Sequence, residues 1–145
     1  MTEPILLVWQ GAPRTKKNSM QIRRGGSRVW LNQSEAYRQY QRDCILQTPG
    51  SARMGICEPV NVRCVYYMAR RSRVDLLNLM AATLDILVAA GVLKDDNCSI
   101  AVSHDGSRVF YDKAHPRAEI TITPADGNAA GEQGDGTARL YTAKA

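Results

Sequence analysis

Arg70-Arg71-Ser72-Arg73 runs almost directly into Asp75, and two adjacent carboxylates, Asp95 and Asp96, stand about one helix further along the chain. Arginine guanidinium groups suit the phosphates of a nucleic-acid backbone, and aspartate oxygens suit hard ions such as Mg²⁺ or Mn²⁺. Phosphodiester hydrolysis needs both, because the ion activates water and the cations hold the anionic backbone. The residue types therefore point to metal-assisted cutting of a phosphodiester.

Each of these residues also has a plainer use. Asp75 opens an apolar stretch, where a carboxylate serves as an N-cap for free helix amides. The arginines have a plainer reading as a solvated charge run, but capping does not need them, and a phosphate-gripping edge beside a metal-binding carboxylate is the sharper one. Asn78 lies one turn beyond Asp75 on the same side, placed to steady the carboxylate, a metal-bound water or a phosphate, or to do nothing at an exposed position. Asp95-Asp96-Asn97 is ordinary turn composition. Asp85 shares the Asp75 stripe about 15 Å up the axis, too far to share one ion, and reads as structural or as a distant contributor.

Helix length adds a constraint. About sixteen residues place Gly91 roughly 24 Å from Asp75, and Asp95-Asp96 lies past that far end. The four-residue connection covers little of the distance. A two-fold dimer with antiparallel helices brings Asp75 of one chain to Asp95 and Asp96 of the other, so a shared site is expected.

A second basic element lies upstream. Arg14 to Arg28 holds Arg14, Lys16, Lys17, Arg23, Arg24 and Arg28 with no acidic residue. Together with Asn18, Lys16 and Lys17 have no core role. They suit a strip that grips DNA phosphates without reading sequence, or a solubilising surface. Trp30 and Tyr37 are candidates for base stacking or for packing. His104-Asp105-Gly106-Ser107-Arg108, with Asp112 and Arg117, reads as an accessory metal or phosphate site or as a structural hairpin. No nucleophile elbow, Gly-rich phosphate loop or Ser/His/Asp arrangement is present.

The elements that must position these groups form one domain in 145 residues. A net charge of +5 and a pI near 9.2 favour polyanions, without separating nucleic acid from a membrane surface. No apolar run approaches a bilayer span, and the N-terminus lacks the basic region of a signal peptide. Cys44, Cys57, Cys64 and Cys98 have no zinc-ligand spacing and read as reduced, mostly buried thiols of a cytosolic protein.

Ile5 to Trp9 reads as a buried strand. Met20–Ile22 and Arg28–Leu31 read as hairpin arms around Gly25-Gly26. Ser34 caps a helix reaching Gln47 and ended by Pro49-Gly50. Pro59 to Met68 is a strand. Asp75 to Ala90 is a helix with an apolar stripe of Leu76, Leu79, Met80, Thr83, Leu84, Leu87 and Val88, ended by Gly91. Ser99–His104 and Glu119–Thr123 are further strands. Residues 124–145 form a Gly- and Ala-rich tail expected to be disordered. The pattern is α+β, a small mixed sheet with two main helices in a domain over residues 1–123.

At the Asp75 helix and the Asp-Asp turn the chain resembles the RusA family of Holliday junction resolvases, over roughly residues 4 to 123. The anchors are the arginine run into Asp75, Asn78-Leu79, Ala90-Gly91, Asp95-Asp96, and Pro13-Arg14-Thr15-Lys16-Lys17-Asn18-Ser19. The resemblance implies a homodimer of bacterial or phage-infected cytoplasm, at the nucleoid. It implies paired, symmetrical, Mg²⁺-dependent nicking of four-way DNA junctions in recombination and repair. It makes Asp75, Asp95 and Asp96 the metal carboxylates, with Asn78 beside them, and gives Arg14, Lys16, Lys17, Asn18, Arg70, Arg71 and Arg73 to DNA. Two positions depart: the family's Asp-x-Asp-Asn reads Asp75-Leu76-Leu77-Asn78, and its following lysine is Ala81. Asp85, Asp105 and Asp112 are the possible substitutes for the lost carboxylate. The alternative is a protein of the same fold that binds branched DNA without cutting it. A third reading is a basic protein-interaction module.

Overall fold

β-Branched and aromatic residues at period two make the central layer. The computed structural model describes residues 3–16, 20–25, 28–33 and 35–125. β1 (Ile5–Gln10), β7 (Arg117–Pro124) and β4 (Val60–Met68) lie side by side in that order, with β7 antiparallel to both neighbours. The far edge of β4 carries two short parallel strands, β5 (Ala101–Ser103) at its start and β6 (Arg108–Tyr111) at its end. β2 (Met20–Gly25) and β3 (Arg28–Gln33) form a separate antiparallel hairpin. That is the hairpin expected from the sequence, with its tip outside the described residues.

α1 (Glu35–Gln47) and α2 (Leu76–Ala89) pack on one face of the sheet. Leu7 and Trp9 of β1, Ala118, Ile120 and Ile122 of β7, and Val60, Val62, Cys64 and Tyr66 of β4 point to that face. They meet Tyr40 and Cys44 of α1 and Leu79, Ile86 and Leu87 of α2 in one core cluster. Polar contacts are buried with it. The Trp9 indole donates to the Thr48 hydroxyl at 3.1 Å, and the Tyr66 and Thr83 hydroxyls lie 2.6 Å apart. Buried polar groups are costly unless paired in this way.

Several expectations change. β1 is not buried on both sides, because Leu6, 73% exposed, and Val8 face away from the helices. The buried arc of α2 takes in Ala82 and Ile86, while Leu84 and Val88 sit at its flank. The helix meets α1 as well as the sheet, which turns the arc away from the simple stripe. Cys44 and Cys64 are buried, and burial pushes their thiols to about 12 and about 11; Cys57 and Cys98 are exposed. Tyr37 is fully buried and is a packing residue. Strand Ser99–His104 shortens to Ala101–Ser103, with a turn in its first residues.

No hairpin forms around Asp105, because β5 and β6 both pair with β4 rather than with each other. Side chains fill the gap between the two short ladders. The Asn61 carboxamide oxygen accepts from the Asp105 amide and the Ser103 hydroxyl, the Ser107 hydroxyl accepts from the Cys64 amide, and a His104 ring nitrogen meets the Val62 carbonyl. Gly106 turns the chain at φ +87 where a Cβ would lie 2.8 Å from the Arg63 guanidinium nitrogen. These bonds give the turn a structural use in tying β5 and β6 to β4.

α2 ends as its sequence requires. Gly91 adopts φ +80, its amide donates to the Val88 carbonyl, and the Val92 amide reaches back to Leu87. These paired bonds satisfy carbonyls that the helix end leaves open, with Val92 and Leu87 packed together in the core.

Candidate functional site

Asp75 is an N-cap. Its backbone is extended, and its carboxylate accepts from the Leu77 amide at 2.9 Å. The side chain remains exposed, so capping leaves oxygen lone pairs facing solvent. Asn78 is half-buried one turn on. Leu77, 70% exposed, stands between them where a carboxylate was expected, and Ala81 is exposed one turn later.

The arginine run connects β4 to α2 and lines two neighbouring clefts. In the larger, about 650 Å³, Arg70, Arg71 and Arg73 face Met68 and the β6 residues Val109 to Tyr111. In the smaller, about 140 Å³, Arg14 joins Ser72, Arg73 and Val74. The two basic segments, more than fifty residues apart in sequence, thus converge at the N-terminal end of α2. The helix dipole also favours anions there.

Lys16 is less free than expected. It forms an ion pair with Asp85 on α2, so it is not an unopposed cation, and Asp85 is committed to that pair. Lys17 and Asn18 lie outside the described residues, as does Ser34. Nothing is described of the Trp30 side chain.

The acidic pair sits at the opposite end. After Gly91, Leu93 bridges Ile56 and the Lys94 amide donates to the Ile56 carbonyl, which fixes the following residues beside the start of β4. The chain does not fold back over the helix. Asp95 accepts from the Asp96 amide at 2.7 Å and from the Asn97 side chain at 3.1 Å, and these bonds, the Asp96 amide foremost, hold its carboxyl below the usual value. Asp96 is exposed. Since α2 has 14 residues, the two ends lie roughly 21 Å apart along its axis.

The three possible substitute carboxylates do not close this gap. Asp85 is paired with Lys16. Asp105 belongs to the structural turn beside Asn61. Asp112 accepts from Arg117 at 3.1 Å and from the His115 amide, and the arginine bond chiefly lowers its pKa. Among the described residues, no three His, Cys, Asp or Glu side chains gather as a metal ion requires. The described residues of one chain alone do not assemble a site for the divalent ion that the resemblance implies.

The sequence profile described as endodeoxyribonuclease RusA matches residues 10–123. The chain belongs to the RusA family. That match takes in the arginine run, α2 and the Asp95-Asp96 turn, so the family's domain contains both ends of the candidate site. The mixed five-stranded sheet with two helices agrees with the α+β fold expected for the family. Membership makes the domain one of a family of endodeoxyribonucleases. No curated relative matches the chain. Among the described residues no helix is long and apolar enough to cross a membrane.

Sequence reasoning missed β6. Arg108-Val109-Phe110-Tyr111 follows the Asp105-Gly106-Ser107 turn and reads from sequence only as a short connecting segment, yet it forms one wall of the larger cleft. Its run of β-branched and aromatic residues, Val109-Phe110-Tyr111, is the available signal.

Proposed function

We propose that this chain is a Mg²⁺-dependent, structure-selective endodeoxyribonuclease that resolves four-way DNA junctions in recombination and repair by paired, symmetrical nicks. It acts as a homodimer in which Asp75 of one protomer works with Asp95 and Asp96 of the other. The observation that carries this reading is the convergence of Arg14, Arg70, Arg71 and Arg73 on the Asp75 end of α2, inside the family domain. A divalent ion, Mg²⁺ or Mn²⁺, held by the shared carboxylates would supply the Lewis acidity for hydrolysis. The arginines hold the backbone, and Asn78 positions the Asp75 side of the site. Lys17 and Asn18 extend the phosphate strip, and Lys16 joins it when DNA competes for its pair with Asp85.

A second reading has one observation in its favour. Leu77 occupies the exposed first turn of α2 where the resemblance calls for a second carboxylate, which supports a protein that binds branched DNA without cutting it.

Cleavage of a synthetic four-way junction, with Mg²⁺, with Mn²⁺ and with neither, separates the two. The nuclease reading expects paired nicks that need the metal and vanish in Asp75→Asn and Asp96→Asn while junction binding persists. Tight binding with no cutting in either metal transfers the conclusion to the binding protein. Weak binding with little salt dependence sinks both.

A further inference from the structure

The larger cleft has a floor that phosphate binding does not use. Val109 and Tyr111 pair in register with Tyr66 and Met68, so they face the helix side of the sheet. Neither helix covers them there: Tyr111 remains 40% exposed and Val109 36%. The Arg71 guanidinium lies 4.5 Å from the centroid of the Tyr111 ring. Phe110 points the other way and stacks on Tyr67 at 5.5 Å, which anchors the strand. An exposed aromatic ring, a flat guanidinium over it and two further arginines alongside make a surface with both stacking and phosphate-binding character. In a duplex the base faces are covered by their neighbours. Only a base that has left the stack presents its face to such a ring.

We infer that the Arg71–Tyr111 pair is a stacking site for an unpaired nucleobase, with the adjacent arginines holding the phosphate of the same strand. This rests on the reading of the chain as a DNA-binding protein and names the strand geometry that its cleft takes. Val109 and Met68 supply the apolar margin, and Tyr111 is a binding residue with no part in bond cleavage.

The test measures anisotropy of a fluorescein-labelled single-stranded oligothymidylate and of a fully paired duplex, both in EDTA so that nothing is cut. The full chain is compared with Tyr111→Leu and Tyr111→Phe. Loss of one base–aromatic stack lowers single-strand affinity by about 5- to 150-fold in Tyr111→Leu, while duplex affinity stays unchanged and Tyr111→Phe behaves as wild type. In parallel, wild type is photocrosslinked to an oligothymidylate carrying 5-iodouracil, and the crosslink is expected on the peptide containing Tyr111. That readout does not depend on a variant folding. Equal single-strand binding by Tyr111→Leu and wild type overturns the inference. So does an equal loss on both probes, failure of wild type to bind the single strand, or crosslinks confined to other peptides. Junction cutting is scored separately. A protein that cuts junctions without stacking bases loses this site and keeps its activity. One that stacks bases and never cuts keeps the site and loses the nuclease reading.

Discussion

Consider a sample in which Asp75→Asn chains and Asp96→Asn chains are mixed and allowed to exchange subunits. Asparagine caps a helix as well as aspartate does, so Asp75→Asn keeps the bond from the Leu77 amide and changes only the charge. Asp96 is exposed, and Asp96→Asn keeps both its backbone amide bond to Asp95 and a side chain of the same shape, so the fold is expected to stand. Oxygens sharing one Mg²⁺ sit about 2.1 Å from it, hence within about 4 Å of one another. The 14 residues of α2 hold Asp75 and the acidic pair roughly 21 Å apart, so no ion bridges them within one chain. In a mixed two-fold dimer one shared site carries both substitutions and the other carries neither. Random exchange makes about half the dimers mixed, which leaves about one quarter of the wild-type number of intact sites. The assay is junction cleavage resolved on a denaturing gel. Each variant alone is expected to be inactive, and the mixture to nick one strand per junction instead of the symmetric pair. A mixture as inactive as its parents, after subunit exchange has been verified, would refute the shared-site argument.

Three further outcomes follow from the same geometry. Leu77→Asp places a carboxylate on the exposed first turn of α2, where it gains about 0.3–1 kcal/mol from the helix dipole; it is expected to raise thermal stability slightly and to increase Mg²⁺-dependent cutting. Asp75→Ala removes the cap and is expected to cost about 1 kcal/mol in chemical denaturation, whereas Asp75→Asn costs little; equal losses would show that the cap is not what Asp75 contributes to stability. Asp112 has its pKa lowered by Arg117, so it favours the folded state above the ordinary aspartate range, and that stability is lost as pH falls through its folded value. Asp112→Asn is therefore expected to flatten the acid limb of the stability profile below about pH 4, measured by thermal melting across pH.

How much of this was legible in the sequence depended on whether the signal was local. Asp75, Gly91 and the apolar residues between them delimit α2 through capping chemistry that acts within one turn, and the structure keeps those boundaries. The hairpin of β2 and β3 is likewise written in its glycine tip and flanking arms. Pairing over distance was not legible. Nothing near Lys16 announces Asp85 as its partner, sixty-nine positions away. Nothing near Arg14 announces Arg73 as a cleft neighbour. His104 to Ser107 looked like a hairpin turn because a Gly-containing turn between apolar runs usually is one. Their role emerges only from the free edge of β4, whose backbone groups they complete. The arc of α2 was misread at Ala82 and Ile86 for a related reason, since a helix wedged between a sheet and a second helix buries a wider sector than a stripe on one face.

The strand order carries a consequence for how the chain comes to be folded. β7, the last strand among the described residues, lies between β1, the first of them, and β4. Until Arg117 to Pro124 have left the ribosome, β1 and β4 have no partner to join them, and Leu7, Trp9, Val62 and Cys64 lack their cover of Ala118, Ile120 and Ile122. The sheet closes in one late event that spans nearly the whole length of the domain, a topology that costs loop-closure entropy before it returns any contact energy. A chain stopped short of β7 would present two unsatisfied strand edges and an apolar floor. A premature stop anywhere upstream is thus expected to leave the sheet unclosed.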